Sequence, residues 1–288
     1  MLNNWDKALH DKIHQSMLEE DPSILQYNHR LRIIDIISNK FKIEGIVADI
    51  GCGNGYFGIG LAKKFPNLER IDCIEASIPA VDEVIPRNIN FYNVESIVKP
   101  VHGTFDDLGS EKYNMIFSMG ALHHSKNLTK TLESIAKALK PGGLFIAQEP
   151  AMPDETTHAD YYFKYNIVEE RYDLKIRNGD RFDRFFRECE YKYSLIHNGF
   201  DIRIWDEYLE KGTLKARLYK YYKLIKNYLA TNGYKKTFLK IITSLNKKKK
   251  NISSQQETWK INMSKAMTRV KHKFIVVKKT DCKEIFHG

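Results

Sequence analysis

Cysteine is scarce and scattered: Cys52, Cys73, Cys189 and Cys282 are the only four in 288 residues, and no two form a C-x-x-C pair. That spacing excludes a disulfide scaffold and a zinc ribbon, and it fits a reducing compartment. No apolar run approaches the roughly 18 residues needed to span a bilayer. The first residues, Met1-Leu2-Asn3-Asn4-Trp5-Asp6, lack a basic stretch followed by an apolar one. No secretory signal is read there, and a soluble cytoplasmic protein is expected. Wholesale disorder is excluded as well, because 42% of residues are hydrophobic and 12% aromatic, ample for a packed core. What the chain has in excess is positive charge, +10 at neutral pH, unevenly placed. Residues 206–269 hold 16 Lys and Arg against 4 Asp and Glu, whereas the remaining residues hold 30 against 32. One segment supplies the whole basic character.

Strand and helix patterns alternate along the chain. Residues 1–44 read as helical, with Asp21-Pro22 as an N-cap and first-turn proline and an apolar face from Ile24, Leu25, Leu31, Ile34 and Ile37. Gly45 ends that region. Strands are expected at Ile46–Ile50, Arg70–Glu75, within Ile97–His102, and at Tyr113–Ser118 and Leu144–Gln148. Leu132, Ile135, Ala136 and Leu139 mark a helix face, which Pro141-Gly142-Gly143 is expected to stop. A helix near Arg184–His197 precedes a strand at Phe200–Trp205, and Lys273–Lys278 is the last strand. This order predicts an α/β fold with a doubly wound, mostly parallel sheet of seven strands. The expected organisation is a helical cap over 1–44, a core over 45–205 plus 270–280, and a basic helical insertion over 206–269 before the last strand.

The sharpest motif is Asp49-Ile50-Gly51-Cys52-Gly53-Asn54-Gly55, at a strand-to-helix turn. Glycines there permit positive φ and let backbone approach a ligand closely. Two readings compete. Gly53-Asn54-Gly55-Tyr56-Phe57-Gly58 matches the dinucleotide pattern G-x-G-x-x-G, and Glu75 lies at a fitting distance for a ribose hydroxyl. Against it, Asp49 ends the strand where its carboxylate would repel a pyrophosphate, and that glycine frame starts several residues late. A cationic ligand suits Asp49 better.

With these residues in order, the sequence resembles the class I S-adenosylmethionine-dependent methyltransferases over roughly Gly45–Gln148. Val47–Gly55 resembles the first family motif, and Glu75 its ribose-binding acid. Gly103-Thr104-Phe105-Asp106-Asp107-Leu108 resembles the adenine-binding segment. Met119–His124 and Leu139–Leu144 resemble later motifs. The resemblance implies a Rossmann-like methyltransferase fold with S-adenosyl-L-methionine as cofactor. It implies that Glu75 accepts the ribose hydroxyls and that Gly51, Gly53 and Gly55 pass beneath the methionyl part. It further implies that Asp49 acts on the ammonium end through an amide or water, and that Met119 helps to close the floor. Phe105 would pack on adenine, with the partner of its amino group open among Thr104, Phe105 and Asp106. The proline at 86 and the asparagines after it make the helix before the third strand irregular.

An in-line displacement at a methyl carbon needs a general base only when the nucleophile must lose a proton. Candidates are His123, His124 and Glu149, followed by His158; the bland reading of the histidines is loop structure and helix entry. Absences narrow the acceptor. There is no N/D-P-P-Y/F/W tetrapeptide after the fourth strand, no Pro-Cys nucleophile and no carboxylate cluster for a magnesium site, so no metal is expected. Asp180–Tyr191 mixes Arg with aromatics, which suits a sugar or acidic acceptor, although an ordinary ion-paired helix gives the same pattern. In the basic segment Leu214, Leu218, Tyr221, Ile225 and Tyr228 fall at helical spacing, with Lys211, Lys215, Lys223 and Lys226 on other faces. A solvated basic face, peripheral contact with an anionic membrane surface and nucleic-acid binding all fit it. Lys outnumbers Arg 34 to 12, which disfavours bidentate phosphate reading and hence nucleic acid. The expected reaction is methylation of a small hydroxylated or glycan acceptor. The rivals are an RNA methyltransferase and a non-catalytic cofactor-binding module.

Overall fold

The computed structural model describes residues 11–106, 108–154, 186–207 and 271–280. Seven strands form one sheet in the order β3-β2-β1-β4-β5-β7-β6, comprising β1 (Ile46–Ile50), β2 (Arg70–Glu75), β3 (Val98–His102), β4 (Tyr113–Met119), β5 (Leu139–Ala151), β6 (Phe200–Glu207) and β7 (Lys271–Lys279). The pairs from β3 across to β5 are parallel, and β7 runs antiparallel to both β5 and β6. β1, buried at four of its five residues, reads as an almost continuous apolar run because both faces of a parallel sheet are covered. On one face pack α1 (Arg32–Ser38), α2 (Tyr56–Lys64) and α3 (Ile85–Tyr92), through Ile33, Ile37, Phe57, Leu61 and Ile85. On the other lie α4 (Leu128–Ala138) and α5 (Glu188–His197), through Leu132, Ile135, Tyr191 and Leu195. Strand order reverses between β1 and β4, and the loops leaving their carboxyl ends open a crevice there.

Several elements differ from their sequence pattern for identifiable reasons. Asp21 does cap a helix, its Oδ1 accepting from the Ser23 N–H at 2.9 Å, but the helix over Pro22–Tyr27 is 3₁₀. Its bonds close over three residues, and Asn28 starts a second short turn by accepting from the Arg30 N–H at 3.0 Å. The described part of the cap therefore runs from α-helix at residues 11–16 through short 3₁₀ turns into the seven-residue α1. Pro141-Gly142-Gly143 does not stop α4. The helix ends at Ala138, and the three residues lie inside β5, where the register with β4 slips between Tyr113 and Met115. Gly142, at φ +73°, absorbs that slip. The irregularity before β3 lies upstream of where it is expected: a π-helical turn covers Ala80–Val84, whereas Pro86 and the asparagines at 88 and 90 belong to the regular α3, with Pro86 in its first turn. Pro100 is tolerated because β3 is an edge strand. The basic residues 208–270, the candidate base His158 and the first half of Asp180–Tyr191 lie outside the described residues. Among the described residues no helix is long and apolar enough to cross a membrane.

Candidate active site

A cavity of about 530 Å³ opens at the carboxyl ends of β1 to β4. Gly51, Gly53, Glu75, Thr104, Phe105 and Asp106 line it, together with His124. The glycine loop is built for close approach. Gly51 sits at φ +63°, and a side chain on it would collide with Ala121; Gly53 sits at φ +58°, where a Cβ would meet only His14 Nε2, at 3.7 Å. Gly55, at φ +78°, turns the chain into α2 and does not line the cavity. Glu75 ends β2 nearly buried, and its carboxylate fastens the loops together. One oxygen accepts from the Gly53 N–H at 2.9 Å, and the other from Ala76 and Ser77 N–H groups at 2.9 and 3.2 Å.

Other expected residues sit elsewhere. Asp49 is buried behind the loop and accepts from the Gly58 N–H at 3.1 Å. Burial lifts its pKa from 3.8 to about 7, the Gly58 bond working against this and the Glu75 charge adding to it. Met119 packs in the core beside Phe117 rather than on the cavity wall. Thr104 accepts from the Asp106 N–H at 3.3 Å, which folds the segment so that Phe105 lies near Gly51.

The three candidate bases separate into different roles. Glu149 is fully buried and accepts from Ser118 Oγ, Ala121 N–H, Leu122 N–H and His123 Nδ1 at 3.1, 2.8, 2.9 and 3.0 Å. Burial alone would raise its pKa, but the His123 bond and charge and the two amides outweigh that and hold it below the usual carboxylate value. His123 is committed to this pair. His124 faces the cavity, its ring centroid 4.2 Å from that of His123.

Three residues here had no motif to announce them. His14, from the N-terminal cap, lines the cavity opposite Gly53. Arg30 lies against Gly120 and donates through Nε to the buried Gln148. Ser77 lines the cavity, and its buried Oγ has no hydrogen-bond partner among the described residues. Only Ser77 carried a signal, standing two residues past the acid that ends β2.

A protein-family model described as a methyltransferase domain matches residues 44–286. The chain belongs to this methyltransferase-domain family. It is 26% identical over 121 residues to the tRNA U34 carboxymethyltransferase of Desulfotalea psychrophila, covering 40% of this chain and 35% of that one. It is 31% identical over 122 residues to a malonyl-acyl-carrier-protein O-methyltransferase of Priestia megaterium, covering 40% of each. The matched stretches thus span well under half the length of these relatives. Among solved structures, the geranyl diphosphate C-methyltransferase of Streptomyces coelicolor, which holds S-adenosyl-L-homocysteine, superposes with a TM-score of 0.55 at 12% identity, covering 88% of this chain and 80% of that one. The 4+2 cyclase SpnF gives 0.58 at 14% identity, covering 87% and 80%. At such identities these two likenesses concern the fold alone. The features of this methyltransferase domain also fit a cofactor of the S-adenosylmethionine type. The glycine cradle leaves room for a ligand against backbone, Glu75 presents a carboxylate to the cavity, and Ser77 Oγ is an unmet polar group in its wall. Among the described residues no group of His, Cys, Asp and Glu could hold a metal ion.

Proposed function

We propose that the protein methylates a small hydroxylated or glycan acceptor on oxygen, using S-adenosylmethionine. The observation that carries this reading is the Glu75 carboxylate, fastened to the Gly53 amide on the wall of a cavity that His124 also lines. When bound, the cofactor supplies a methyl group on a cationic sulfur leaving group. Glu75 accepts the ribose hydroxyls, and each such charge-assisted bond contributes about 1.5–3 kcal/mol. The glycine loop lets the chain pass close to the ligand. His124, the candidate base that lines the cavity, takes the proton from the acceptor hydroxyl as the displacement proceeds. The relatives named as a malonyl-acyl-carrier-protein O-methyltransferase and a ubiquinone biosynthesis O-methyltransferase support transfer to oxygen.

A second reading, an RNA methyltransferase, draws on the basic charge of residues 206–269 and on relatives named for tRNA and ribosomal RNA. The cyclase neighbour is a reminder that this fold also carries other chemistry, so a non-methylating cofactor binder is a third outcome. One experiment separates them. The protein is incubated with methyl-labelled cofactor and cell extract divided into RNA, lipid, polysaccharide and small-molecule fractions. Label in the polysaccharide or small-molecule fraction is expected. Label in RNA alone, with salt-dependent RNA binding, supports the second reading, and cofactor binding without any transfer supports the third.

A further inference from the structure

Glu149, at the end of β5, is a fully buried carboxylate outside the cavity wall, and the displacement described above uses neither it nor His123. Every hydrogen bond found for this carboxylate comes from one place, the end of β4 and the turn that follows it. Oε1 accepts from Ser118 Oγ at 3.1 Å and from the Ala121 and Leu122 amides at 2.8 and 2.9 Å; Oε2 accepts from His123 Nδ1 at 3.0 Å. These donors lead directly into the 3₁₀ turn Leu122–His124, which closes through His124 N–H to Ala121 O at 3.0 Å and Ser125 N–H to Leu122 O at 2.9 Å. The turn carries His124 to the cavity, against the His123 ring.

We infer that Glu149 is a positioning residue, which holds His124 in place through the Ala121–Leu122 backbone and the His123 ring. Joining β5 to β4 would not require a charge, since the strands already pair from Tyr113 to Met119. A buried carboxylate costs desolvation unless its acceptor sites are filled. Here they are filled by the loop that delivers the base. The same bonds leave Glu149 facing its own donors instead of an acceptor, which argues against its acting as the base. The inference rests on the methyl-transfer reading for what His124 does, but not for how His124 is held.

The test compares Glu149→Gln with Glu149→Ala in the full chain. The glutamine keeps the size and one acceptor oxygen but loses the charge; alanine loses both. Histidine ring signals are followed by NMR with and without S-adenosylhomocysteine, assigned through His123→Asn and His124→Asn, alongside the affinity for that ligand. Glu149→Gln is expected to bind S-adenosylhomocysteine within threefold of the wild type, to shift the His123 and His124 signals, and to slow transfer into the accepting extract fraction at least tenfold. Glu149→Ala is expected to do more of the same. If Glu149→Gln does not fold, Ser118→Ala, which removes one of the four bonds, is expected to move the His124 signal in a smaller step. Unchanged His124 signals and transfer rate in the folded variant overturn the inference. So does a loss of ligand affinity in the same proportion as the loss of rate, which marks a general structural role. Failure of the wild type to bind S-adenosylhomocysteine sinks the methyl-transfer reading instead, and leaves the histidine signals to report on Glu149 alone.

Discussion

Asp49 illustrates how much a single position can contribute when burial and function pull in opposite directions. Its folded pKa of about 7 exceeds the 3.8 of an exposed aspartate, chiefly through burial. Between those values the folded protein holds a proton that the unfolded chain releases. This group's effect is therefore a loss of stability as pH rises from about 4 to 7, levelling above 7, and it amounts to about 4 kcal/mol at most. Asp49→Asn removes that loss, because an amide oxygen can still accept from Gly58 N–H and does not ionise. Urea unfolding at pH 5 and pH 8 is expected to show a smaller difference in stability for the variant than for the wild type. Equal pH slopes would place the titrating group elsewhere. A cationic ligand should favour the ionised carboxylate, so wild-type affinity for S-adenosylmethionine is expected to rise towards pH 7 and that of Asp49→Asn to stay flat. The glycine two residues on is held by sterics as well as by its place on the cavity wall. Gly51 has a positive φ and Ala121 in the path of any side chain, which is why the glycines were so visible in the sequence.

At the scale of elements, helix α4 shows which local signals decide an end and which do not. Its amino terminus is set by Asn127, whose Oδ1 accepts from the Lys130 N–H at 3.1 Å. Asn127→Ala is expected to destabilise the protein by about 1 kcal/mol, read from the urea midpoint at unchanged slope. Its carboxyl terminus looked equally clear, since proline and two glycines follow the apolar face. Yet Leu139 already pairs with Tyr113, and the sheet takes the chain before the proline is reached. Tertiary pairing outweighed a breaker signal, and a single sequence contains no trace of that pairing. The cap is helical as its pattern predicts, but of mixed kind: Asp21-Pro22 announces the start of a helix, and nothing local distinguishes three-residue from four-residue closure. By contrast β1 and β2 are legible at both ends: β1 is a nearly apolar run, β2 sets Ile71, Cys73 and Ile74 between charged ends, and both are buried on two faces. The cavity divides along the same line. Gly51, Gly53, Glu75 and the Thr104–Asp106 segment lie in motifs contiguous in sequence, and all of them line the cavity. His14 and Arg30 reach the site from the cap, so their presence depends on how distant segments dock. Glu149 was visible as a titratable residue, but its four partners were not.

For the whole molecule, the question is whether the positive charge belongs to the catalytic fold. Outside residues 206–269 acids slightly outnumber bases, and within that range bases exceed acids by 16 to 4. The sheet gives this a physical meaning. β6 and β7 are antiparallel neighbours whose register pairs Glu207 with Lys273, so the chain leaves and re-enters the fold at adjacent points. Residues 208–270 are then a connection whose ends a short turn could join, because antiparallel strands need only a few residues between them. We propose that this segment is separable from the cofactor site and serves the acceptor or a partner. Replacing residues 208–270 by a four-residue glycine-containing turn is expected to leave a folded protein. Its melting temperature should equal or exceed that of the wild type, since a shorter connection costs less closure entropy. Affinity for S-adenosylhomocysteine is expected within threefold of the wild type, because every described cavity residue lies outside the segment. Transfer of labelled methyl into the accepting extract fraction is expected to fall at least tenfold. Loss of folding or of S-adenosylhomocysteine binding would show that the segment belongs to the core. Full transfer by the shortened protein would show that the acceptor is recognised by the cap and the cavity rim instead.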